Sequence, residues 1–115
     1  MILFSELAQC GPVPNQPVVL PGPEEEALQA AASKYGIWLI PGSVFERGEN
    51  GELYNTTSVI NPTGKVIARY RKMFPFMPYE HDVTSGTEFC VFDVPEAGRF
   101  GLSLGDEFVY QVNFG

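Results

Sequence analysis

The stretch PEEEALQAAASKYGIWLI, residues 23–40, decides the fold. Pro23 and the acids Glu24, Glu25 and Glu26 suit the first turn of a helix, where a missing N–H costs nothing and negative charge meets the positive end of the dipole. Gly36 stands where a left-handed C-cap is wanted, so the spacing predicts a helix over 23–35. Within it Ala27, Leu28, Ala31, Ala32 and Tyr35 recur at helical spacing and leave Gln29 and Lys34 on the other side, which predicts one face packed on a layer. Ile37-Trp38-Leu39-Ile40 follows at once, an apolar run of strand length that reads as a strand buried on both faces. A covering helix feeding a buried strand is the unit of an α/β domain.

Working outward, Gly48-Glu49-Asn50-Gly51 turns the chain into a strand over 54–60. Asn61-Pro62-Thr63-Gly64 turns it again into 65–70, so 37–70 reads as a meander. Residues 73–87, with Pro75, Pro78 and Gly86, read as a long loop; strands over 88–94 and 99–104 follow, joined by Pro95-Glu96-Ala97-Gly98. Upstream, residues 1–4 form an apolar strand. Five prolines between 11 and 23 allow neither helix nor central strand there. One helix and about six strands predict a sheet with one face covered and no helix left for the other.

Composition narrows the function. The 115 residues fit a single domain, and 44% hydrophobic with 18% charged residues describes a chain that folds. A net charge of −7 opposes a nucleic-acid partner, whose affinity comes from neutralised phosphates. Apolar runs fall short of the ~20 residues that span a bilayer, and no secretory leader opens the chain, so a cytoplasmic protein without a membrane partner is expected. Cys10 and Cys90 read as two reduced thiols. The single histidine, His81, excludes a multi-His metal site, and no Gly-rich phosphate loop precedes a helix; neither metal nor cofactor is expected. Asn55-Thr56-Thr57 matches a glycosylation acceptor and reads as chance.

Two charged residues stand out. Lys72 ends a strand and enters Met73-Phe74-Pro75-Phe76-Met77-Pro78-Tyr79-Glu80, where aromatic neighbours would desolvate an ammonium and carboxylates would pair with it. Glu6, directly after the run Ile2-Leu3-Phe4-Ser5, is costly there unless paired. Lys65 and Arg69 read as a solvated strand face.

These segments resemble, in collinear order, the first half of a carbon–nitrogen hydrolase of the nitrilase superfamily. Ile2-Leu3-Phe4-Ser5-Glu6-Leu7 is similar to the segment bearing that family's catalytic glutamate. Leu53-Tyr54-Asn55-Thr56 with Asn61-Pro62-Thr63-Gly64-Lys65 resembles its central hairpin, and Ala68-Arg69-Tyr70-Arg71-Lys72 its lysine strand. Pro75-Phe76-Met77-Pro78-Tyr79-Glu80 resembles the stretch that bears a second glutamate in the aliphatic-amidase branch, and Gly98-Arg99-Phe100-Gly101-Leu102-Ser103 the strand leading to the nucleophile. The resemblance implies a four-layer α-β-β-α sandwich, represented here as one partial domain over 1–115 that lacks the family's first strand and helix and its C-terminal half.

It also implies a thiol mechanism on a small amide, carbamoyl or nitrile substrate, with Glu6 as general base, Lys72 stabilising the oxyanion and Glu80 orienting substrate or nucleophile. Where the family has its cysteine this sequence has Gly105, so the chain as written is expected to be inactive. Cys90, inside a strand, is no substitute, and Cys10 is a poor one. The alternative is a non-catalytic relative kept for assembly, since family members form dimers and sometimes filaments; a homo-oligomer is expected on either reading.

Overall fold

Helix and turns fall where local chemistry puts them. The computed structural model describes residues 1–9, 16–77 and 79–104. In chain order these form β1 (Ile2–Leu3), α1 (Pro23–Tyr35), β2 (Leu39–Ile40), β3 (Ser43–Arg47), β4 (Leu53–Ile60), β5 (Val66–Arg71), β6 (Cys90–Val94) and β7 (Gly98–Leu102). Helix α1 starts on Pro23 and is closed by Gly36 at φ 60, whose N–H donates to the carbonyls of Ala32 and Ser33. The β4–β5 turn is tied by Asn61, whose Oδ1 accepts from the N–H groups of Thr63 and Lys65 at 3.1 and 3.0 Å.

Strand β4 organises the larger sheet. Strand β5 runs antiparallel along one side of it, with Thr56 opposite Arg71. Both β2 and β3 pair antiparallel with the other side, as one strand interrupted at Pro41-Gly42. Strand β1 joins β2 in parallel. The separate β6–β7 hairpin supplies the layer that the helix count could not. It packs Cys90, Phe92 and Val94 over Ile40, Val59 and Tyr70, with Trp38 stacked on Phe92 at 6.4 Å. On the opposite face α1 lays Ala32 and Leu28 over Leu39 and Ile60. Val59 and Ile60, consecutive and fully buried, thus anchor opposite faces, and each such side chain contributes about 1.5–3 kcal/mol. The described layers are helix, sheet and hairpin, part of an α-β-β-α arrangement.

Several expectations need correction. Ala27 and Tyr35 are exposed, and the inward stripe of α1 is Glu25, Leu28, Gln29, Ala31 and Ala32, with Gln29 on the side the spacing left polar. Glu25 does more than complement the dipole: it is buried and paired with Arg69, with Ser58 donating to it. Arg69 is therefore not merely a solvated strand residue. Strand β3 was hidden in the sequence because its Glu46 is charged. The carboxylate is buried against Arg71, which donates through two nitrogens at 3.0 and 2.9 Å. Of residues 1–4 only 2 and 3 form a strand. It is paired, with Ile2 N–H on the Trp38 carbonyl and Phe4 N–H on that of Ile40, yet its side chains are exposed. No helix among the described residues is long and apolar enough to cross a membrane.

Candidate active site

Residues distant in sequence converge on the Lys72 ammonium, beyond the end of β5. The β4–β5 ladder continues one step past the strand: Lys72 N–H donates to the Asn55 carbonyl at 2.8 Å, so the two residues are opposite neighbours. The Lys72 side chain is 1% exposed. Its Nζ lies 2.7 Å from Glu80 Oε1 and 3.0 and 3.4 Å from the two oxygens of Glu6. Asn55, fully buried, donates from Nδ2 to Glu6 Oε2 at 3.2 Å and to Glu80 Oε2 at 3.1 Å. Glu6, Lys72 and Glu80, singled out in the sequence, therefore share one site. Gly105 lies outside the described residues, as does Cys10.

Each member is held by its own device. Glu6 sits in a turn over residues 5–9 in which Leu7 adopts φ 56, and Leu7 N–H donates to Ser43 Oγ at 2.8 Å. That turn rests on Gly42, at φ 80, where an added Cβ would meet the Ser5 carbonyl oxygen at 2.2 Å. Gly42→Ala should therefore destabilise the chain by about 1–3 kcal/mol, read as a lowered urea midpoint. An unchanged midpoint would mean that the turn does not need this close approach. Glu80 is fixed from below, because Phe76 N–H donates to its Oε1 at 3.0 Å. The loop beyond it is clasped to the sheet by Thr84 N–H on the Leu53 carbonyl and Gly86 N–H on that of Lys72.

The electrostatics follow from this packing. Burial works against the Lys72 ammonium, but its bonds to Glu80 and Glu6 outweigh it and hold the pKa above the ordinary lysine value. Burial likewise opposes the Glu80 carboxylate, and Lys72, the Phe76 N–H and Asn55 overcome it, leaving the pKa below the usual range. The two acids differ in freedom. Glu80 accepts from three groups and is 11% exposed; Glu6 is 23% exposed, and among the described residues its Oε1 has only the 3.4 Å contact with Lys72. Glu6 thus keeps an acceptor for a proton, and Lys72, with three N–H groups and two short bonds, keeps a donor.

The cysteine of β6 has the opposite character. Cys90 is buried in the hairpin core, which pushes its thiol up to about 11, so it is not poised as a nucleophile. His81 is exposed beside Asp82. Asn55, whose tripeptide reads in the sequence as a chance acceptor motif, lies in the site as well, donating to both acids. Counting outward from the 61–65 turn places it opposite Lys72, which is the signal that would have found it.

The profile of the carbon-nitrogen hydrolase family matches residues 1–115. Omega-amidase NIT2 of Xenopus tropicalis is 32% identical over 104 residues, 83% of this chain and 36% of that protein. A formamidase of Bacillus thuringiensis is 38% identical over 89 residues, 74% of this chain and 26% of that one. The crystal structure of an N-terminal amidase in a cysteine-to-serine variant superposes with a TM-score of 0.68 at 28% identity, over 81% of this chain and 24% of the other. The chain spans about a third of the length of the curated relatives it matches.

Proposed function

The chain belongs to the carbon-nitrogen hydrolase family, and from that premise we propose that residues 1–115 contribute the acid–base half of an active centre that hydrolyses a small amide. The convergence of Glu6 and Glu80 on the buried Lys72 ammonium carries this reading. A thiolate attacks the amide carbon, and Glu6, through its less engaged oxygen, takes the thiol proton. The oxyanion that forms meets the spare N–H of Lys72. Cleavage of the C–N bond releases ammonia with the proton returned by Glu6, leaving a thioester. Water, deprotonated by Glu6, hydrolyses the thioester to the acid and the free thiol. Glu80 orients the ammonium. A thiol with an ordinary pKa of ~8.5 needs such a base and cation beside it at neutral pH. The residue in line for the thiol is Gly105, so this sequence supplies the machinery without its nucleophile.

The test is a graft of residues 1–115 in place of the matching segment of an omega-amidase, carrying Gly105→Cys and followed by ammonia release. Adding Glu6→Gln should lower turnover by about 10²–10⁴-fold. Turnover unaffected by that change would remove Glu6 from the mechanism.

Gly105 also favours a second reading, a relative without catalysis that acts in assembly. Ile2, Leu3 and Phe4 on one side and Phe74, Phe76, Met77 and Tyr79 on another are exposed apolar surface of the kind that self-association covers. On this reading the graft with Gly105→Cys stays silent while the chain sediments as an oligomer.

A further inference from the structure

Two carboxylates facing one ammonium make an unbalanced site. Glu6 and Glu80 both lie within hydrogen-bond range of Lys72 Nζ, so the cluster carries one negative charge in excess. Such a pair has two ways to relax: one acid takes up a proton, or the less enclosed Glu6 swings towards solvent. Either would spoil a base that must stay ionised beside its cation.

We propose that Asn55 is the positioning residue that prevents this, clamping Glu6 and Glu80 on either side of the ammonium by donating one Nδ2 hydrogen to each. The proposal rests on the catalytic reading of the site. Its geometry is specific: one neutral nitrogen, fully buried, reaches Oε2 of both acids at 3.2 and 3.1 Å. The amide cannot be turned over, because Oδ1 would then face two carboxylates. In the orientation it holds, Oδ1 is buried without a hydrogen-bond partner among the described residues, so the donors to the acids, not the satisfaction of the amide, set its place. The clamp and the ammonium are also built on one register, through the bond from Lys72 N–H to the Asn55 carbonyl. The charged groups facing Glu80 are Lys72, beyond the end of β5, and Glu6, from the turn after β1; His81 and Asp82, beside it in sequence, pair with each other at the surface.

The experiment is an NMR titration of the Glu80 side-chain carboxyl in the full 115-residue chain, in the parent, in Asn55→Leu and in Lys72→Met. Loss of the clamp should raise the proton affinity of Glu80 by about tenfold, one pH unit, in Asn55→Leu. Asn55→Ser, which keeps a single donor, should fall between Asn55→Leu and the parent. A purely space-filling Asn55 would leave the titration where it was, and an overlay of Asn55→Leu on the parent overturns the proposal. If Lys72→Met moves Glu80 and Asn55→Leu does not, only the clamp is lost; if neither moves it, the acid–ammonium site itself falls. Should Asn55→Leu fail to fold, Asn55→Asp decides. Its introduced carboxyl can donate only when protonated, so its stability deficit against the parent should narrow as the pH falls, and a constant deficit overturns the clamp.

Discussion

Lys72→Met should lower folding stability by about 3–5 kcal/mol at neutral pH, because it removes the ammonium from between two largely buried carboxylates. Methionine fills much of the space, so the loss is electrostatic: among the described residues Glu6 and Glu80 would keep only the hydrogen bonds from Asn55 and, for Glu80, from Phe76 N–H. The effect has a pH window. Glu80 is depressed below 4.5, so its share is present above that value and is lost as the pH falls through the folded-state pKa. Lys72 is raised above 10.5, so its share is present below that value and is lost as the pH rises through the folded-state pKa. Parent and variant should therefore differ most between the two limits and converge in acid. Lys72→Met combined with Glu80→Gln should recover part of the loss by removing one stranded charge. Urea midpoints across pH check all three. A loss below about 1 kcal/mol, the scale of an exposed pair, would mean that the ammonium is not held as described.

The larger effect is on rate. In the omega-amidase graft, retaining Gly105 should leave ammonia release about 10⁶-fold below that of the Gly105→Cys version. No described side chain replaces a thiol there: Cys90 is committed to the hairpin core and its thiol is pushed up to about 11, far from thiolate at neutral pH. Glu6, Lys72 and Glu80 without a nucleophile could at best polarise an amide and activate water. Equal rates in the two grafts would place the nucleophile elsewhere, and Cys10→Ser would be the next variant to assay.

Local chemistry was legible in the sequence and long-range pairing was not. Pro23, three acids and Gly36 are neighbours whose effects act within a turn or two, and they delimit α1 to the residue. The 61–64 turn is set in the same way. Glu25 and Glu46 depend on partners 44 and 25 positions away, Arg69 and Arg71, and no periodicity reveals that a charge will be buried against a particular distant guanidinium. For that reason the sequence pattern shows no strand at 43–47 and places Ala27 and Tyr35 on the wrong face of α1. Likewise, a covering hairpin could not be told from any other late pair of strands. At the site, Glu6, Lys72 and Glu80 are legible because motif and resemblance point to individual residues. Asn55 is not, because its place depends on cross-strand alignment and not on the tripeptide it heads.

Strand β5 carries a consequence for how such a sequence can change in length. Arg69 and Arg71 face the helix side, where Glu25 and Glu46 neutralise them, while Tyr70 enters the hairpin core and Lys72 the acid pair. Past the register break at Ile67, where Val66 pairs with Ile60 and Ala68 with Val59, the two sets are interleaved with a period of two, so losing or gaining one residue between Ala68 and Lys72 would exchange them wholesale. Guanidinium groups would be driven into the apolar core, and an aromatic ring would be set against buried acids. Chemistry and architecture are thus written on alternate letters of one short word, which tolerates respelling at single positions but not a shift of frame. Length variation among related chains should accordingly collect in the turns around 48–51 and 95–98 and spare residues 68–72.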